Sequence, residues 1–206
     1  MRRLLGALAV LSMVSPALAD PPPRGAALEL IASSNAEGVF EALPGERGIV
    51  VRHTRSGLTC RLTPGNTNRL LIFPQAARGE DVGCETRNER ESVTLYATRY
   101  SIEAPLDEQV RGVEAAIRQR FPEAEPLGAT MEISSDTLPA HRTVQFIIRP
   151  DGVRTYTRAS VAQLGQWTIK LRYSVVAPDA EAVRQGELAA NLAFASALRD
   201  ITQQRP

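Results

Sequence analysis

Residues 143–177 read TVQFIIRPDGVRTYTRASVAQLGQWTIKLRYSVVA, and this stretch decides the fold. From Thr143 to Arg149, apolar Val144, Phe146 and Ile148 alternate with more polar neighbours, the period of a strand with one buried face. Pro150-Asp151-Gly152 carries hairpin-turn chemistry. Val153–Leu164 returns, Gly165-Gln166 turns again, and Trp167–Ala177 closes a three-strand meander. In the closing run Trp167, Ile169, Leu171, Tyr173 and Val175 point one way, and Thr168, Lys170, Arg172 and Ser174 the other. The period then changes. Pro178-Asp179 opens a helix predicted to reach about Ile201, with Asp179 as N-cap and Val183, Leu188, Leu192, Ala195, Leu198 and Ile201 on its inner face.

Upstream of the meander, Leu106, Val110, Val113, Ile117 and Phe121 fall on one face of an amphipathic helix. Pro105 suits its first position. Asp107 and Glu108 stand where the helix dipole favours anions, Arg118 and Arg120 where it favours cations, and Pro122 stops it. Leu127–Ile133 reads as a further strand. Between Val39 and Ile102 the chain is a succession of strands: Val39–Leu43, Ile49–His53, Leu58–Leu62, Arg69–Phe73, Val82–Thr86 and Ser92–Ile102. The last has Val93, Leu95 and Ala97 on one side and Tyr96, Tyr100 and Ile102 on the other, which predicts a central strand covered on both faces. Ala26–Ala36 is predicted as a short helix with Leu28, Ile31 and Ala32 facing in, ended by Gly38.

The expected fold class is therefore α+β: antiparallel sheets covered by two amphipathic helices, each following a block of strands and covering one sheet, in a sandwich. Residues 26–206 are expected to form a single domain with halves at 38–122 and 123–206. This order, with a strand opened by Trp167 before the last helix, resembles the layout of PsbP-like domains over Val39–Ile201. What the resemblance implies is the fold, an antiparallel sheet with helices packed on it.

Residues 1–19, MRRLLGALAVLSMVSPALA, read as a signal peptide. Arg2 and Arg3 form the positive start, Leu4–Val14 the apolar core, and Ala17-Leu18-Ala19 the small-residue cleavage site. Cleavage after Ala19 would leave Asp20 first, followed by a Pro-rich lead to Gly25. The expected location is the bacterial periplasm or the exterior. No later run is long and apolar enough to span a membrane. The chain has 24 basic and 23 acidic residues, and this neutral balance excludes general attraction to nucleic acid or to an anionic membrane surface. Apolar residues make up 43% and charged residues 23%, the range of a folded globular chain.

Cys60 and Cys84 are the only cysteines, and in an oxidising compartment they are expected to pair. Closing a loop of about 25 residues stabilises the fold by roughly 3 kcal/mol in the chain-entropy model. The outer strands of a three-strand meander lie about 10 Å apart, whereas bridged Cα atoms lie within roughly 7 Å. The two cysteine strands are thus expected to be neighbours, or one cysteine to sit at a strand end.

Chemistry is sparse. His53 and His141 are the only histidines, and the available serines Ser56, Ser101 and Ser160 are not in a Gly-x-Ser-x-Gly elbow. Glycine-rich phosphate loops are absent, and no cofactor is expected. Glu80, Asp81 and Glu85 cluster beside Cys84, but their spacing is that of a solvated turn rather than a calcium loop. The best surface candidate is basic: Arg149, Arg154, Arg158, Lys170 and Arg172 are expected to share one face of the meander and to meet an anionic ligand or partner. Trp167 is expected to anchor the core. The sequence favours a non-catalytic binding or accessory module of the bacterial envelope, acting on an unidentified envelope or protein partner. The alternative is a small exported hydrolase with a His-containing site.

Overall fold

The computed structural model describes residues 23–203 apart from Arg47, Glu103 and 129–137. The expected signal peptide at 1–19, its cleavage site and residues 20–22 lie outside the described residues. Helix α1 (Pro23–Ser33) is followed by strands β1 (Phe40–Leu43), β2 (Ile49–His53), β3 (Thr59–Leu62), β4 (Thr67–Ile72), β5 (Asp81–Arg87) and β6 (Glu91–Arg99). Then come α2 (Leu106–Arg120), β7 (Glu125–Pro126), β8 (His141–Ile148), β9 (Thr155–Leu164), β10 (Trp167–Val176) and α3 (Ala180–Gln203). The strands form two antiparallel sheets, one of order β1-β2-β3 and one of order β4-β5-β6-β10-β9-β8-β7. The fold is α+β.

The meander of β8, β9 and β10 forms as its alternation dictates. The register sets Trp167, Ile169, Leu171 and Tyr173 beside Leu164, Ala162, Ser160 and Arg158 of β9 on one face of the large sheet. Leu95 and Ala97 of β6 join that face. It is the principal core, closed by α3, by the small sheet and by α1. The opposite face carries Val144, Phe146 and Ile148 of β8 and Ala159 and Val161 of β9. Helix α2 packs on β8 and β9 alone, through a smaller cluster of Ile117, Ala124, Phe146, Ile148 and Ala159. Its first turn is tied down where the Arg142 Nε donates to the Asp107 carboxylate at 2.8 Å.

Several expectations are revised. The helices α2 and α3 do not each cover a sheet; they cover opposite faces of the same one. The two halves meet where β6 pairs with β10 over Trp167–Val175, so the central sheet runs through both. Helix α1 begins at Pro23, inside the expected Pro-rich lead, and buries Ala27 and Ile31 while Leu28 is 55% exposed and Ala32 is exposed. Pro105 caps α2 with extended backbone rather than opening it. Strand β6 ends at Arg99, leaving Tyr100 partly exposed and Ile102 82% exposed. Strand β7 precedes the predicted strand 127–133, and its pairing continues through Leu127 N–H to the Gln145 carbonyl; residues 129–133 lie outside the described residues.

Helix α3 starts as expected, the Asp179 carboxylate accepting the Ala182 N–H at 2.8 Å. Of its expected inner face, Ala195, Leu198 and Ile201 are buried and Val183 is partly buried, but Leu188 and Leu192 give way to smaller residues. A Cβ on Gly186 would lie 2.8 Å from Val175 Cγ1 and 3.0 Å from Tyr156, so the helix lies close to the sheet at that point. Gly186, Ala190, Phe194 and Ala197 therefore face in. Leu188 and Leu192, two positions on and roughly 200° round the helix, are half exposed.

Cys60 and Cys84 are bonded, with Cα atoms 6.3 Å apart. Neither sequence-based arrangement holds. Cys60 lies within β3 and Cys84 within β5, so the bridge crosses from the small sheet to the large one. Facing sheets ordinarily stand about 10 Å apart, and the bond pins them at a close approach.

Candidate functional site

Because α2 spans only β8 and β9, a hollow of about 210 Å³ remains between it and the adjoining strands. Val113, Ala116 and Ile117 of α2 form one wall, and Ala159 and Val161 of β9 form the floor. Lys170 and Arg172 rise from β10, Tyr96 from β6 and Arg120 from the end of α2. A second hollow of about 430 Å³ shares Val113, Ala116 and Lys170 and continues toward Tyr100, Ile102 and Gln109. The two adjoin along α2 with these three residues between them, a trough made of two hollows.

Two of the cations here, Lys170 and Arg120, are held by aromatic rings rather than by carboxylates. Lys170 Nζ donates to the Tyr100 hydroxyl at 3.2 Å and lies 5.4 Å from that ring's centre. Arg120 stacks on its neighbour Phe121 at 5.5 Å. Among the described residues none of Lys170, Arg172 and Arg120 forms a salt bridge. Lys170 and Arg172 are half-buried. Aliphatic stems of such side chains line apolar walls while their heads stay polar.

The five basic residues singled out in sequence are thus divided. Lys170 and Arg172 share the trough. Arg158 points to the other face, is 1% exposed beneath α3, and donates to Asn191 Oδ1 at 2.6 Å and Ser160 Oγ at 3.2 Å. Tyr156 lies on that same inner face, its hydroxyl donating to Gln145 Oε1 at 2.8 Å, and burial pushes its pKa up to about 12. Arg149 pairs with Glu125 at 2.6 Å on the β7 edge, which holds the Glu125 carboxyl below its usual value. Arg154 donates to the carbonyls of Ala177 and Asp179 where the chain enters α3. A single basic face fails because the loop before β9 puts Arg154 at the strand entrance, and the register gives Arg158 the same side as Tyr173. Arg120 and Tyr96 escaped the sequence reading. Their only signal was the pairing of Lys170 with Tyr96 across β10 and β6, which strand order alone reveals.

The histidines are accounted for by packing. His53 is buried between Phe40 and Trp167, at 5.5 and 5.3 Å ring to ring. Its Nδ1 accepts the Ser56 N–H at 3.2 Å and lies 2.8 Å from Ser56 Oγ, which in turn accepts the Leu58 N–H. The His53–Ser56 pair locks the turn between β2 and β3 and presents no accessible nucleophile. Burial pushes the His53 pKa down to about 4; the Gly79 backbone opposes this and the Arg55 charge adds to it. His141 Nδ1 faces the Pro139 carbonyl at 3.2 Å, with its ring against Phe194. The acidic run is consumed locally. Glu80 accepts from Arg55 at 3.0 Å and Arg99 at 2.9 Å, which lowers its pKa, and Asp81 accepts from Thr98. Among the described residues no group of His, Cys, Asp and Glu is placed to hold a metal ion.

No protein-family model matches the chain, so the resemblance to PsbP-like domains rests on element order and the strand opened by Trp167. No curated protein matches it in sequence. Among solved structures, LpqN of Mycobacterium tuberculosis, described as involved in cell envelope biogenesis, is similar at 8% identity and a TM-score of 0.34, covering 75% of this chain and 76% of its own. A likeness of that size bears on neither ligand nor activity. No described helix is long and apolar enough to cross a membrane.

Proposed function

We propose that this chain is an exported, non-catalytic binding module of the bacterial envelope, and that the trough beside α2 is where it takes a small ligand. The observation that carries the reading is the trough itself: an apolar-walled opening in the cover of the central sheet, rimmed by cations without acidic partners among the described residues. Ligand sites are concave, mostly apolar and furnished with a few placed polar groups, in the range of roughly 300–1,000 Å³. The smaller hollow falls short of that range and the larger one lies within it. The Cys60–Cys84 bond fits an oxidising compartment outside the cytoplasm.

Fluorescence titration with the neutral apolar dye phenylnaphthylamine tests the trough without regard to charge. Wild type is expected to bind it saturably. Ala116→Trp, which fills the trough from the α2 side, is expected to weaken binding by about tenfold or more, with the far-ultraviolet circular dichroism unchanged. A dye that does not saturate, or that binds both proteins equally, removes the trough as a ligand site.

A further inference from the structure

We infer that the occupant of the trough is a free single-chain amphiphile with an anionic head, a fatty-acid carboxylate. This rests on the trough being a ligand site. Shape supplies the first half of the argument. The two hollows adjoin along α2, with Arg172 and Arg120 lining one, the exposed Ile102 lining the other, and Lys170 lining both. Val113, Ala116, Ile117, Ala159 and Val161 give the trough apolar side chains, while Glu108 and Gln109 line the larger hollow, away from Arg172 and Arg120. A flexible chain of methylenes fits such a walled channel, and each buried methylene contributes about 0.8 kcal/mol. Rigid polar solutes such as sugars would leave their hydroxyl groups unpaired there, at a cost.

Charge supplies the second half. Lys170 and Arg172 stand two residues apart on β10 and point into the trough from the same side, with Arg120 opposite on α2. Half-buried cations without acidic partners among the described residues carry part of a desolvation cost that an incoming anion offsets. A guanidinium binds a carboxylate in a bidentate fork, and Lys170 adds a mobile point charge between the two hollows. What sets these cations apart is their place: eight arginines elsewhere are paired to carboxylates and others form no such pair among the described residues, but Lys170, Arg172 and Arg120 together line an apolar hollow.

Competition against the bound dye by decanoate and by decanol reads the head group directly. Decanoate is expected to displace the dye from wild type at a concentration about tenfold lower than decanol. In Lys170→Gln/Arg172→Gln that preference, read as the ratio of the two displacing concentrations at whatever dye affinity the variant keeps, is expected to vanish. Arg120→Gln, exposed on α2, is a second variant that leaves the sheet untouched, and it is expected to reduce the preference about threefold. Equal displacement by both compounds in wild type, or an undiminished preference in both variants, overturns the inference and leaves the trough as an apolar site. Absence of dye binding in wild type overturns the proposed site instead. Sedimentation with phosphatidylglycerol vesicles that is lost in the same variants, with no competition by decanoate, assigns the cations to a bilayer surface and also overturns it.

Discussion

His53 sets the response of the small sheet to acid. In the unfolded chain its imidazole titrates near 6.5, while burial between Phe40 and Trp167 holds it at about 4 in the fold. Its folded pKa is depressed, so below 6.5 the unfolded state binds the extra proton and the fold does not. The contribution to stability is present above pH 6.5 and is lost progressively as pH falls toward 4. From pH 7 to pH 5 the loss is expected to be about 2 kcal/mol. Glu80, Glu125 and Glu181, whose pKa values their arginine partners lower, lose their contribution only as pH falls below the ordinary 4.5, so this interval isolates the histidine. Urea unfolding of wild type and His53→Phe at the two pH values measures it. The variant, although destabilised by leaving the Ser56 N–H without its acceptor, is expected to show little pH slope, and a wild-type slope no steeper than the variant's would contradict the assignment.

At the scale of elements, α2 decides whether the trough exists. Its apolar spacing is legible in sequence, and Ile117 is 7% exposed against Phe146, Ile148 and Ala159 as that spacing requires. Ile117→Asp places an unpaired carboxylate in this cluster and is expected to cost several kcal/mol, about 3 or more. Glu114→Ala removes only the exposed pair with Arg118 one turn on, worth about 0.5 kcal/mol or less. Thermal melts that moved equally for the two variants would mean that α2 does not seat on the sheet through Ile117. What the sequence conceals about α2 is how much sheet it covers. Periodicity reports which side of a helix is apolar, but not which strands lie beneath it. Alternation likewise set Lys170 and Arg172 opposite Trp167, Ile169 and Leu171, and the structure agrees. It could not add Tyr96 and Arg120, because both reach the trough through strand order and helix placement. In α3 Leu188 and Leu192 misled, although Leu198 did not, because close packing at Gly186 turns the small residues of the first half inward, and hydrophobicity alone ranks leucine above alanine.

At the scale of the whole molecule the structure is two sheets held face to face, with the bridge joining β3 to β5 across them. Two cysteines admit one intramolecular pairing, so the bond itself was legible. Its span was not, because the assignment of β1, β2 and β3 to a separate sheet depends on pairings between distant segments. Beyond the bond, α3 reaches the small sheet where Arg61 pairs with Asp200, and α1 packs on β1, β2 and β4. The small sheet is three short strands, and a sheet of that size depends on what it packs against. The bridge closes a sequence separation of 24 residues. Cys60→Ala/Cys84→Ala is therefore expected to lose about 3 kcal/mol, lowering the melting temperature by roughly 10 °C for a domain of this length. Reducing agent is expected to bring wild type down to the level of the double variant and to leave the variant itself unmoved. The small sheet should open before the large one, since the hydrogen bonds of β6, β10 and β9 do not pass through the bridge. Hydrogen exchange after reduction should thus accelerate first in β1, β2 and β3, with β9 and β10 protected until global unfolding. Uniform acceleration across both sheets would show that the bond stabilises the fold as one unit rather than pinning the small sheet to the large.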